Sequence, residues 1–229
     1  MTQYTPFIPA EILARHSFDL DAPLTTPHPS VHSWFKRSLD VLGSLVGLFI
    51  LTIIFVPIAI AIKLDSPGPV LYKQKRCGLQ GRHITIYKFR TMVRDADQLK
   101  AQLQKQGGQP FFVKEGQDPR ITRVGQVLRR TSLDEFPQFW NVLKGEMSLV
   151  GTRPPTLDEV VYYADHHWQR LNVKPGLTGE WQVNGRSSIT DFEEIVRLDL
   201  RYQQQWHPLY DLVVLWKTVQ VVLKGTGAS

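Results

Sequence analysis

The sequence contains a single cysteine, Cys77, in 229 residues. An internal disulfide is therefore excluded, and with it the usual mark of a small exported domain. A cytosol-facing protein is the expectation. No cysteine cluster and no zinc-ligand spacing occurs, which argues against a structural metal. The early residues lack a basic start followed by an apolar run, so no signal peptide is read there. No internal repeat or low-complexity tract is found, and no glycine loop ends in the Gly-Lys-Ser/Thr of a phosphate loop. Charge itself is missing over one stretch, from Asp40 to Lys63.

What is present is a basic chain of ordinary apolar content. It is 42% hydrophobic and 21% charged, with a formal net charge of +6 and a pI near 9.5. That balance calls for an anionic partner: nucleic acid, anionic lipid or a phosphorylated substrate. The length suits one globular unit with a short appendage. Residues 1–32, with Pro6, Pro9, Pro23, Pro27 and Pro29, show no helical or strand period and read as a flexible N-terminal extension.

The uncharged stretch VLGSLVGLFILTIIFVPIAIAI is 22 residues long, about 33 Å as a helix and long enough to cross a bilayer. Pro57 lies inside it, where a missing donor and a steric clash favour a break near Val56. Lys36 and Arg37 precede the run and Lys63, Lys73, Lys75 and Arg76 follow it, so the positive-inside rule assigns no inside and outside. Residues 33–64 are thus either one spanning helix or a helix that enters one leaflet, bends at Pro57 and returns.

In residues 65–229, VLYKQ and HITIYKF alternate polar and apolar residues around Gly78-Leu79-Gln80-Gly81, the pattern of a hairpin. Helices are expected over 94–106, 121–130, 133–144, 157–171, 190–206 and 209–223. The last has a broad apolar face of Leu209, Leu212, Val213, Trp216, Val219, Val222 and Leu223, which either packs on the core or lies on a membrane. His166 and His167 adjoin on a presumed helix and are read as surface residues pointing to different faces.

The run RRTSLDEFPQFWNVLKG holds adjacent acids behind two arginines. Its Ser132-x-x-Glu135 spacing reads as a capping box opening a helix at Leu133. That turn is either a helix start and nothing more, or a place where the helix dipole and free backbone donors hold Asp134 ionised beside a phosphate. Lys88, Arg90, Arg129, Arg153 and Arg186 sit in or near segments rich in turns, and guanidinium forks suit phosphate oxygens. The glycines of Lys174-Pro-Gly-Leu-Thr-Gly179 would let backbone donors approach a pyrophosphate.

Taken in order, the proline-broken apolar segment, YKFRTM (87–92), RRTSLDEFPQFWNVLKGEMSLVGTRP (129–154) and VKPGLTGEWQVNGR (173–186) resemble the bacterial sugar transferases, the monotopic phosphoglycosyl transferases, over residues 34–223. The resemblance implies an α+β fold, mostly helical. It would have a re-entrant (helix-break-helix) membrane segment and a cytosolic helical catalytic domain with a short β-hairpin and amphipathic interfacial helices. It implies that Asp134 attacks the β-phosphate of a UDP-sugar and that Asp134 and Glu135 bind Mg²⁺. Polyprenyl phosphate would then accept the sugar phosphate as exopolysaccharide or glycoconjugate assembly begins. Arg129 and Arg153 would bind substrate phosphate, with Lys88, Arg90 and Arg186 as further basic positions and Pro57 at the membrane break. UDP-glucose and UDP-galactose are the favoured donors, membrane lipids are partners and nucleic acid is not. The enzyme would face the cytosol from the bacterial inner membrane. Two departures stand out: Val56-Pro57 replaces the Ser-Pro common in the small-enzyme branch, and no N-terminal bundle of membrane helices appears, so the chain looks like the catalytic unit alone. A basic membrane-anchored module without catalysis, or a glycosyltransferase releasing UDP, are the competing readings.

Overall fold

The computed structural model describes residues 26–96, 98, 99, 118–185, 189 and 191–224. Residues 26–32 run along the domain: the His28 amide donates to the Asn172 carbonyl at 2.9 Å, and a 3₁₀ turn, Pro29–His32, buries Ser30. The part of the extension that is described is therefore docked. Helix α1, Trp34–Asp65, opens on a Ser33 cap and stays helical through Pro57. Pro57 has no amide to give, so the Ile53 carbonyl loses its ordinary helical donor. Only 11% of the most apolar window of α1 is buried, unlike the mostly buried core helix of a soluble domain.

Strands β1, Leu71–Cys77, and β2, His83–Phe89, form the expected antiparallel hairpin. Helix α2, Arg123–Arg130, starts at the Thr122 cap and carries the two arginines in its last turn. The helix expected over 133–144 is split. Leu133–Gln138 is a 3₁₀ turn, and only Phe139–Lys144, α3, is α-helical. Pro137 cannot donate the bond that would make the first turn α-helical. The capping box is absent as well. Ser132 sits in the left-handed region (φ 55°) and makes no capping bond, and the Glu135 side chain points elsewhere.

A second sheet was not legible in the pattern. β3, Ser148–Val150, pairs in parallel with β4, Gly176–Thr178. Gly151, Gly176 and Gly179 are needed there because their backbones cross: a Cβ on Gly176 would lie 2.1 Å from the Gly151 amide nitrogen. The loop read as a pyrophosphate cradle is instead a strand crossing. The helix expected over 157–171 is interrupted between α4, Leu157–Val160, and a 3₁₀ segment, Asp165–Asn172. Between them Ala164 is extended, and its amide donates to His167 Nδ1 at 2.9 Å. A short α5, Glu180–Val183, leads to α6, Phe192–Gln205, and α7, Pro208–Lys224. All seven residues of the α7 apolar face are exposed, while Asp211 and Val214 face inward. The expected helix over 94–106 lies, beyond residue 99, outside the described residues.

The core joins Ile86 of the hairpin, Val142, Met147 and Val150 around β3, and Tyr202 and Val214 of the last two helices. Helix α1 is pinned to it at its foot. Lys36 Nζ donates to the Val150 carbonyl (2.8 Å), to the Tyr202 hydroxyl (3.1 Å) and to Asp211 Oδ2 (2.7 Å). Asp40 accepts from the Leu149 amide and the Ser148 hydroxyl. Gly43 and Gly47, one turn apart, let α1 lie against Leu149 and the Phe139 ring; a Cβ at Gly47 would fall 2.4 Å from that ring.

Candidate active site

Two sequence motifs meet at the acid turn. Lys88 Nζ of β2 donates to Glu135 Oε1 at 2.7 Å, and Arg129 Nε of α2 donates to the Thr91 hydroxyl at 3.0 Å. YKFRTM is thereby joined to RRTSLDE at two points. Asp134 lies within the first turn of the 3₁₀ segment and is only 6% exposed. Its carboxylate sits where backbone donors of a helical start are least satisfied, the place that favours an anion.

The other predicted basic residues divide. Arg153 is held by Glu159 through Nη1 at 3.0 and 3.2 Å and Nη2 at 3.2 Å, and its guanidinium stacks over the Trp181 ring at 5.8 Å. Glu159 also caps its own helix, accepting from the Thr156 amide at 2.9 Å. Burial raises the Glu159 carboxyl, but Arg153 and Arg76 outweigh it and leave the group below its ordinary value. Arg90, by contrast, is spent on structure. It donates to the carbonyls of Ile62, Ser66 and Pro67, closing the C-terminal end of α1. Five donors on a planar fork suit that cluster of orphan carbonyls as well as they suit phosphate. Arg186 lies outside the described residues.

Sequence reasoning missed Arg76. It donates to the Pro154 carbonyl at 2.8 Å and, through Nε and Nη2, to Gln74 Oε1. Burial lowers its pKa to about 10, repulsion from Arg153 adds to that, and Glu159 and Glu135 oppose it. Arg76 thus feels both the Arg153 pair and the acid turn. The signal was in the register: Tyr72 pairs with Lys88 and Arg76 with Ile84, so period-two alternation puts Arg76 on the face of Lys88.

His166 and His167 do not diverge. Their rings lie 4.0 Å apart, and both Nε2 atoms reach the Glu193 carboxylate, at 3.0 and 2.7 Å. Among the described residues this is the one trio of His, Cys, Asp or Glu with metal-ligand spacing. Its polarity is wrong for a metal. His167 Nδ1 accepts the Ala164 amide, so the proton of the neutral ring is on Nε2, the atom a metal would need. Metal-bound histidines ordinarily donate from the other nitrogen.

The model of the family described as bacterial sugar transferase matches residues 31–225. Over 86% of its length the chain is 47% identical to a galactosyl transferase, CpsE, of Streptococcus agalactiae serotype III, covering 44% of that protein. Over 85% it is 39% identical to the UDP-glucose:undecaprenyl-phosphate glucose-1-phosphate transferase of Escherichia coli, covering 41% of it. It is also 37% identical, over 84%, to the exopolysaccharide production protein ExoY of Rhizobium meliloti, covering 87% of that protein. The chain therefore spans less than half of the first two relatives and most of the third.

Proposed function

Because this chain belongs to the bacterial sugar transferase family, we propose that it moves a hexose-1-phosphate from a UDP-sugar to polyprenyl phosphate by way of Asp134. An oxygen of the Asp134 carboxylate bonds to the sugar-linked β-phosphorus as the bond from that phosphorus to the bridging oxygen breaks. UMP leaves with the electron pair. A phosphate oxygen of the polyprenyl phosphate then displaces Asp134, which regains its carboxylate as the lipid-linked product forms. The observation that carries this reading is the 2.7 Å contact of Lys88 with Glu135, which gathers both motifs beside a buried Asp134. The names of the relatives support a sugar phosphate donor and an undecaprenyl phosphate acceptor, with glucose and galactose as the first sugars to try.

Lys88, Arg129 and Arg153 are assigned to substrate phosphates, and Arg76 joins them through its place between Glu135 and the Arg153 pair. Arg90 positions the exit of α1 instead. Asp134 and Glu135 offer adjacent hard carboxylates, the donor set that Mg²⁺ takes alongside substrate phosphates. When bound there, the ion offsets the charge of two anionic substrates.

The membrane reading rests on where α1 is attached. Lys36, Arg37 and Asp40 at its foot and Ile62 and Asp65 at its end all bond to the same domain, Asp65 accepting the Val124 amide at 2.9 Å. A spanning helix would put those ends on opposite sides of a hydrocarbon layer about 30 Å thick. Shared attachment supports entry into a single leaflet with a bend at Pro57, both ends lying at the cytosolic face of the inner membrane. The exposed apolar face of α7 supports contact with the same surface.

The test supplies purified protein with polyprenyl phosphate, Mg²⁺ and a panel of UDP-sugars. Lipid-dependent release of UMP is expected, whereas release of UDP, or no turnover with any donor, overturns the reading. Asp134→Asn is expected to cut turnover by roughly three orders of magnitude or more while the protein stays folded. A near-normal rate would remove Asp134 as nucleophile.

A further inference from the structure

An apolar groove of about 370 Å³ lies between the exposed apolar helix α1 and the acid turn, bounded by Leu51 and Phe55 of α1, Leu71 and Tyr87 of the hairpin, and Pro137 and Trp140. The volume is in the range of small-ligand sites and its lining is apolar, which suits hydrocarbon better than a sugar or a nucleotide. Its position relative to the acid is fixed by local geometry. In a 3₁₀ turn, residues three apart eclipse each other, which sets Pro137 on the same face as Asp134, one turn further on. Trp140 continues that spacing into α3 and is 49% exposed. A row of Asp134, Pro137 and Trp140 therefore begins at the acid and ends in the groove. On its other side the groove is walled by α1, whose neighbouring residues Phe49, Ile50 and Ile53 are exposed apolar side chains.

We infer that this groove holds the first isoprene units of the polyprenyl phosphate acceptor, steering its phosphate along the row to Asp134. The inference rests on the function proposed above and adds the acceptor's path. The occupant follows from what the groove joins. One end is continuous with a helix face fit for hydrocarbon, and the other meets the acid turn, to which the Lys88 cation is attached through Glu135 and beside which Arg129 is held by Thr91. A molecule with an apolar tail and an anionic phosphate head matches both ends. The available volume admits only a few isoprene units, so most of the tail stays in the leaflet.

The test uses full-length protein in detergent, free of bilayer lipid, with Trp140→Ala, Trp140→Phe and Leu48→Trp, the last filling the groove from α1. Trp140→Ala and Leu48→Trp are expected to raise the KM for polyprenyl phosphate roughly tenfold, the scale of one lost aromatic contact or one blocked subsite. Trp140→Phe should recover most of the loss. The KM for UDP-sugar and the acceptor-free burst of UMP should stay within twofold of wild type, which also certifies the fold. Acceptor KM values that stay at the wild-type level while the wild-type enzyme turns over overturn the groove assignment. So does a loss of membrane retention with unchanged acceptor KM in detergent, which would mark the groove as a seat for a bilayer acyl chain. Absence of lipid-dependent UMP release by the wild-type protein is the separate failure of the proposed reaction.

Discussion

Cys77 ends β1 with its side chain buried, packed among Val160, Tyr163, Trp168 and Leu171. Burial pushes its thiol up to about 11, Glu159 adds to the rise and Arg76 only partly opposes it. At pH 8 a thiol of that pKa is ionised to about one part in a thousand, and the thiolate is the reactive form. Native protein should therefore resist iodoacetamide at pH 8 for as long as urea-unfolded protein takes to alkylate completely. Mass spectrometry of the two samples checks it, and rapid native alkylation would contradict the burial. The neighbouring Glu159 illustrates how one carboxylate can cap a helix, hold Arg153 and answer to Arg76. Its lowered pKa means that its contribution to stability is full above the ordinary carboxyl range and fades as pH falls through the folded value.

Helix α1 is fastened at its foot by a buried ion pair, Lys36 with Asp211, completed by the Tyr202 hydroxyl, which donates to Asp211 Oδ1 at 2.8 Å. Removing one partner strands the other charge in the interior, which costs more than the pair itself contributes. Asp211→Ala should destabilise the protein by about 3–5 kcal/mol, and the double change Lys36→Met with Asp211→Leu should recover a large part of that. Denaturant unfolding in detergent measures both; a cost below about 1 kcal/mol for the single change would show that the pin is not buried in solution. The elements themselves were unequally legible. The hairpin was visible because VLYKQ and HITIYKF flank a Gly78–Gly81 turn, with alternation clearest at the start of β2, α2 because of its Thr122 cap, and α7 because of its long apolar face. The β3–β4 pair was not, since three residues carry no period and the partners lie far apart in sequence. The acid turn begins where the pattern put it but has another geometry: the Ser-x-x-Glu spacing suggested a capping box, whereas Ser132 makes no capping bond, Pro137 donates no backbone bond, and Leu133–Gln138 winds as a 3₁₀ segment. Lys88 was identified from its motif, whereas its partnership with Glu135 needed the tertiary contact.

At the scale of the whole molecule, hydropathy and charge left the course of α1 undecided, because basic residues flank it on both sides and length alone permits crossing. Tertiary attachment favours the proposed single-leaflet course, under which both ends of α1, held by one body, occupy one aqueous compartment. Single cysteines placed at exposed His32 and Lys63, in a Cys77→Ser background, test this without touching the acid turn or the groove. In inside-out inner-membrane vesicles both should react with a membrane-impermeant maleimide. In intact spheroplasts neither should react until the membrane is permeabilised. Labelling of the two positions from opposite sides would require a crossing helix, and the contacts made by Lys36 and Asp65 could not then exist in the same molecule. Labelling from one side makes the shared surface a condition of the chemistry: a donor dissolved in water and an acceptor rooted in lipid can meet at Asp134 only where the acid turn stands at the boundary between them.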